Sequence, residues 1–120
     1  MAKLMVRRHI VGGEEFEMRL DLINISQKPG LLLKAECLIP KGFVLTSSLP
    51  SWCKLENGCL SMSEKRTEPF HVETVKFRLR VNQPGTYGLN PKVTYADTEG
   101  NTKICEINPI NLTVSPAKDA

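Results

Sequence analysis

Apolar and polar residues alternate through most of this chain, and glycine, proline and asparagine break the alternation at short intervals. A period of two puts one row of side chains on each face of a β-strand. The clearest run is 71–82, where Val75, Phe77, Leu79 and Val81 point one way and Lys76, Arg78 and Arg80 the other. Residues 15–26 repeat it, with Phe16, Met18, Leu20 and Leu22 opposite Glu17, Arg19 and Asp21. Ile23 and Ile25 stay on the apolar face only after a one-residue slip, which predicts a bulge near Leu22-Ile23. A first strand is predicted over 4–11 and a third over 31–39, the latter with Leu33, Ala35, Cys37 and Ile39 on its buried face. Tyr87, Leu89, Pro91, Val93 and Tyr95 share one face of 86–96. The last strand, 102–114, places Ile110, Leu112 and Val114 inward and is interrupted by Pro109, which implies an edge or a bulge.

Turn signals separate these runs: Gly12-Gly13, Lys28-Pro29-Gly30, Pro40-Lys41-Gly42, Gln83-Pro84-Gly85 and the loop from Asp97 to Asn101. Asn57-Gly58 between 53–56 and 59–63 predicts a hairpin with a two-residue turn. In that register Glu56 faces Cys59 and Cys53 faces Met62. The sulfurs of Cys53 and Cys59 then lie on opposite faces and cannot bond without distortion. Residues 43–52 are expected to form an irregular crossing loop, and 64–69 a polar connection. No segment sustains a helical period. The pattern predicts an all-β fold, an immunoglobulin-like antiparallel β-sandwich of about seven to eight strands. One domain is expected over 1–115, with a polar tail at 116–120.

Composition narrows the classes. With 120 residues, 41% hydrophobic and 24% charged, the chain suits one globular domain. No apolar run approaches the ~18 residues of a membrane-spanning helix, so no membrane partner is expected. The first eight residues lack the apolar core of a secretory signal. A net charge of +3 is too small to argue for nucleic acid. The cysteines at 37, 53, 59 and 105 form no zinc-type pair. Cys37 and Cys105 fall within strands, where free cysteine serves as a small core residue. Four reduced thiols and a cytoplasmic setting are expected, with an extracellular one as the alternative.

Candidate chemistry is sparse. A nucleophile needs a base held beside it, and the chain offers only His9 and His71. A blue-copper loop fails because no histidine follows Cys105. Asp97 to Asn101 is explained as a hairpin turn better than as a calcium loop. The reading is therefore of no enzyme, no cofactor and no metal site. The basic row Lys76, Arg78, Arg80 could bind an anion, but the acids of the neighbouring strand favour cross-strand pairing instead. Asn24-Ile25-Ser26 and Asn111-Leu112-Thr113 match the glycosylation acceptor by a pattern short enough to occur by chance. Phe43, Leu49 and Trp52 form an apolar cluster on the crossing loop. They are candidates for a partner anchor, or for a cap over one end of the core.

The stretch from Val81 to Leu89, with its Pro84-Gly85-Thr86-Tyr87 turn, is followed by Tyr95-Ala96-Asp97. Together they resemble immunoglobulin-like modules of archaea and bacteria in the adhesion-related and CARDB-like group. Gly13 to Asn24 resembles their second strand. Pro50 to Gly58 resembles sandwiches appended to archaeal regulatory proteins. Tyr87 matches the tyrosine corner of immunoglobulin domains, whose hydroxyl bonds nearby backbone. Leu89 stands where those domains carry a cysteine, so no intersheet disulfide is implied. The resemblance implies a fold and brings no catalytic residues. The expected function is a non-catalytic interaction or scaffold domain of a larger protein. It would contact a protein partner or neighbouring domains through an edge strand or the Trp52 end. An extracellular adhesion or carbohydrate-associated module is the alternative.

Overall fold

In the computed structural model, which describes residues 1–117, every regular element is a strand. The expected tail at 116–120 lies mostly outside those residues. The strands are β1 (Ala2–Val6), β2 (His9–Val11), β3 (Glu15–Ile23), β4 (Gly30–Glu36), β5 (Val44–Leu45) and β6 (Lys54–Glu56). There follow β7 (Cys59–Thr67), β8 (Val72–Arg80), β9 (Gly85–Leu89), β10 (Lys92–Asp97), β11 (Thr102–Glu106) and β12 (Ile110–Ser115).

One layer has the order β1-β3-β8-β5. The other is built from β11-β10-β4-β7-β6 in one half and β2-β12-β9 in the other half. The two halves join through one long hairpin, whose arms are each broken by a proline, Pro91 between β9 and β10 and Pro109 between β11 and β12. Neither proline can donate to a ladder, and the Ile107 N–H bridges the break by donating to the Pro91 carbonyl at 3.1 Å. The core lies between the layers. Met18, Leu20, Val75, Phe77 and Leu79 on one side meet Ala35, Leu60, Met62, Val93 and Leu112 on the other.

The strand count exceeds the expected seven to eight because long strands change sheets. The run 4–11 is not one strand. β1 pairs with β3, the chain crosses at Arg7-Arg8, and β2 runs parallel to β12 in the opposite layer. Leu4 and Ile10 are both buried by this switch. The bulge expected near Leu22-Ile23 is absent. β3 pairs with β8 in unbroken register from Glu15 opposite Arg80 to Ile23 opposite Val72. The strand simply ends, and Ile25 lies beyond it, 63% exposed.

The bulge sits instead in β4. Leu33 is skipped in the ladders to both β10 and β7, so Leu32 and Ala35 become the buried pair. The predicted face of Leu33, Ala35, Cys37 and Ile39 is corrected accordingly. Cys37 has a φ of 55° and is exposed, so it is no core residue. Leu38 and Ile39 are buried beyond it and donate their N–H groups to the Gly58 carbonyl. The expected loop 43–52 contains the short strand β5, paired to β8. The expected connection 64–69 is largely strand, as β7 continues to Thr67 past Ser63 and Glu64 in left-handed conformations.

The Asn57-Gly58 hairpin has the predicted register, Glu56 opposite Cys59. Both turn residues have positive φ, 51° and 78°, as a type I′ turn requires. The Tyr87 hydroxyl donates to the Gln83 carbonyl at 2.8 Å, which closes the corner that its position implied.

Candidate functional site

The crossing-loop aromatics are tied to the core. Phe43 meets Phe16 edge-on at 5.8 Å between ring centroids and Tyr87 at 5.0 Å. Such T-shaped contacts put the positive ring edge on the negative face. Trp52 lies elsewhere on the rim, with the Lys65 Nζ over its ring at 5.7 Å. Phe43, Leu49 and Trp52 are each half-buried against the core cluster. The structure thus gives Phe43 aromatic partners on two other elements and leaves a part of each side chain at the surface.

The basic row on β8 faces the outer row of β3. Arg80 lies opposite Glu15, Arg78 opposite Glu17 and Lys76 opposite Arg19. Glu15 is within 3.6 Å of Arg80 and 3.8 Å of Arg78. Asp21 serves both its own strand and β8. Its carboxylate accepts from Arg19 Nε at 3.0 Å and from the Thr74 hydroxyl at 2.8 Å. Burial raises the cost of its charge, but the hydrogen bonds from Arg19 and Thr74 and the charges of Arg19 and Lys3 outweigh it. They hold the Asp21 carboxyl below its ordinary value.

One flank of the sandwich is left open where the sheet switch ends. β2 closes one half of the sandwich's flank by pairing with β12, but in the other half β1 and β11 each end a sheet without pairing to one another. Two adjoining grooves occupy this seam. The larger holds about 410 Å³, with buried Leu22, Leu32 and Val93 at its floor and Lys28, Lys103 and Cys105 among its walls. The smaller, about 270 Å³, runs between Lys3, Leu4 and Arg8 on one side and Glu106 to Ile110 on the other.

Ladder phase decides which backbone groups face the seam. Asp97 N–H donates to the Asn101 carbonyl, and Ile107 N–H to that of Pro91, on either side of the β10–β11 register. In an antiparallel pair the bonded positions alternate. Lys103 and Cys105 therefore exchange bonds with β10, while the N–H and C=O groups of Thr102, Ile104 and Glu106 point away from it. The same reasoning applies to β1. Met1 and Ile23 exchange bonds at 2.8 and 2.7 Å, so Ala2, Leu4 and Val6 present their backbone outward. Ile104 is 64% exposed on the free edge.

The charges along the seam are unequally engaged. The Asp97 carboxylate accepts from the backbone N–H groups of Glu99 and Asn101 and from the Asn101 amide, at 2.9 to 3.1 Å. The Asn101 backbone and side-chain donors hold that carboxyl below its ordinary value. Glu106 pairs with Lys92 at 3.8 Å. Among the described residues Lys3, Arg8, Lys28 and Lys103 have no ion-pair partner. Pro109 interrupts the predicted last strand, which implied an edge or a bulge; β11 before it is an edge, whereas β12 after it is paired on both sides. The pairing of that edge with an open groove had no sequence signal.

The remaining polar groups of interest are structural or dispersed. His9 lies in β2 opposite Thr113, and His71 precedes β8, its carbonyl accepting from Asn24. Among the described residues no group of three or more His, Cys, Asp or Glu side chains is set to hold a metal ion. All four cysteines are free, and burial pushes the Cys53 thiol up to about 11. The Asn24 amide ties its own loop to the connection after β7, donating to the carbonyls of Lys28 at 2.9 Å and Glu68 at 3.2 Å. Asn111 is exposed on β12.

No protein-family model matches the sequence, and no curated protein matches it. Solved structures do match in fold. The major pilin subunit of Bacillus cereus superposes with a TM-score of 0.62 at 7% identity, over 97% of this chain and 40% of the pilin. Escherichia coli alpha-2-macroglobulin matches in its native conformation with a TM-score of 0.56 at 16% identity, over 97% of this chain and 6% of that protein. Its elastase-activated form gives 0.57 at 19%, over 97% and 9%. At such identities the likeness establishes the fold alone, an immunoglobulin-like β-sandwich domain. The chain spans 40% of the pilin's length and less than a tenth of the macroglobulin's.

Proposed function

We propose that this domain is a non-catalytic interaction module of a larger cytoplasmic protein, and that it holds a protein partner along the seam between β1 and β11. The observation that carries this reading is the seam itself. Two sheet edges with outward backbone groups flank an apolar-floored groove of about 410 Å³. Unpaired edges are a hazard that proteins usually cover or charge, and recognition by strand addition is their best-attested use. The resemblance to sandwiches appended to archaeal regulatory proteins supports the same role, as does the fold shared with domains of longer chains. The half-exposed rim of Phe43, Leu49 and Trp52 is a secondary contact for neighbouring domains.

A photo-crosslinking residue at Ile104 in the full-length parent protein tests the reading in the native host. Discrete protein adducts are expected from position 104. None is expected from Val44, which is equally exposed on the far edge of the other layer. Absence of adducts at 104, or the same adducts from both positions, refutes it.

A further inference from the structure

We infer that the seam takes an acidic, extended peptide segment, which adds to β11 as a sixth strand of the five-stranded half-layer. This rests on the reading of the seam as the partner surface and specifies its occupant. Three observations converge on it. The first is geometric. Thr102, Ile104 and Glu106 turn their backbone groups outward in the every-second-residue spacing that an added strand pairs with. A segment of about five residues matches the length of β11.

The second is chemical. A strand laid beside β11 has one face over the floor of Leu22, Leu32 and Val93 and the other beside Ile104. A branched apolar row suits the floor, and the alternate row of the segment is then free to carry the acids. The third is electrostatic. Lys3, Arg8, Lys28 and Lys103 rim the two grooves without partners, whereas Asp97 and Glu106 are engaged by their own loop and by Lys92. An incoming acidic segment meets four cations that no ion pair holds, Lys3 and Lys103 feeling only the longer-range charges of Asp21 and Asp97, and a basic one meets repulsion.

The probes are two soluble peptides, Asp-Val-Asp-Val-Asp-Val-Asp and its lysine-for-aspartate counterpart, titrated into the ¹⁵N-labelled chain at low salt. The acidic peptide is expected to shift and protect the amides of Thr102, Ile104 and Glu106 and to bind at least about tenfold tighter than the basic one. Raising the salt to 0.3 M should shrink that preference, because the lysines are exposed. Two variants close the argument. Ile104→Pro removes one outward N–H without touching the bonds to β10, so it should weaken binding about tenfold while the remaining spectrum stays folded. Lys3→Glu with Lys103→Glu leaves Arg8 and Lys28 against two carboxylates and should abolish the charge preference.

Equal binding of the two peptides, or shifts that avoid β11, overturns the assignment of an acidic strand. If crosslinks form at 104 while neither peptide pairs with β11, this inference falls and the interaction reading stands. If crosslinks at 104 are also absent, both fall.

Discussion

Replacing Gly58 and Gly100 separately by alanine distinguishes two costs that a turn glycine can carry. Both glycines have left-handed backbones, with φ of 78° and 88°. That conformation costs an L-residue about 1 kcal/mol relative to glycine. Around Gly100 nothing lies within 4 Å of an added Cβ, so Gly100→Ala should lose only that amount. At Gly58 the new Cβ would run into the Ile39 carbonyl oxygen, which is backbone and cannot rotate away. The hairpin tip must then lift from the segment it docks on. The bonds from Leu38 N–H and Ile39 N–H to the Gly58 carbonyl, 3.2 and 3.3 Å, lengthen with it. At about 0.5–1.5 kcal/mol for each bond, Gly58→Ala should cost about 2–4 kcal/mol in all. Urea unfolding followed by far-UV circular dichroism measures both variants, with unchanged slopes as the check on two-state behaviour. Equal destabilisation of the two would refute the docking of the hairpin on Ile39.

Three further outcomes follow from named contacts. Tyr87→Phe, which removes only the donor to Gln83, should lower stability by about 1 kcal/mol in the same assay. Asp21 has a folded-state carboxyl held below its ordinary value, so its contribution is complete above about pH 4 and is lost as pH falls through the lower folded value. Asp21→Asn should therefore flatten the acid limb of a stability–pH profile, and an unchanged limb would show that the Arg19 and Thr74 contacts contribute nothing. Native thiol titration with a disulfide reagent should label Cys37 first, because it is exposed. Cys53, with its thiol raised to about 11 by burial, should react much more slowly.

The candidate site was only partly legible in the sequence. The interruption at Pro109 pointed to an edge or a bulge in the last strand, and of its two halves only β11 is an edge. The cations at 3, 8, 28 and 103 are scattered over the chain, and only the crossing at Arg7-Arg8 and the long hairpin bring them to one flank. Phe43 and Trp52, close in sequence, serve different parts of the rim. No local pattern encodes that separation.

What the sequence by itself determined is the part of the fold that local sterics and period-two burial control. Alternation in β3 and β8 set which side chains face the core, and Asn57-Gly58 set a turn whose positive φ values few other pairs tolerate. Tyr87 likewise closed its corner through a partner only four residues away. The tertiary structure decided what depends on a neighbour distant in the chain. The bulge moved from Leu22-Ile23 to Leu33 because β4 must satisfy β7 and β10 at once. Cys37 left the core because the strand ended before it and Leu38 and Ile39 docked on Gly58. The open seam beside β11 exists because β2 crosses to the other layer and covers only half of that flank. A strand's own residues fix its two faces, but only the other strands fix which of its edges is left free.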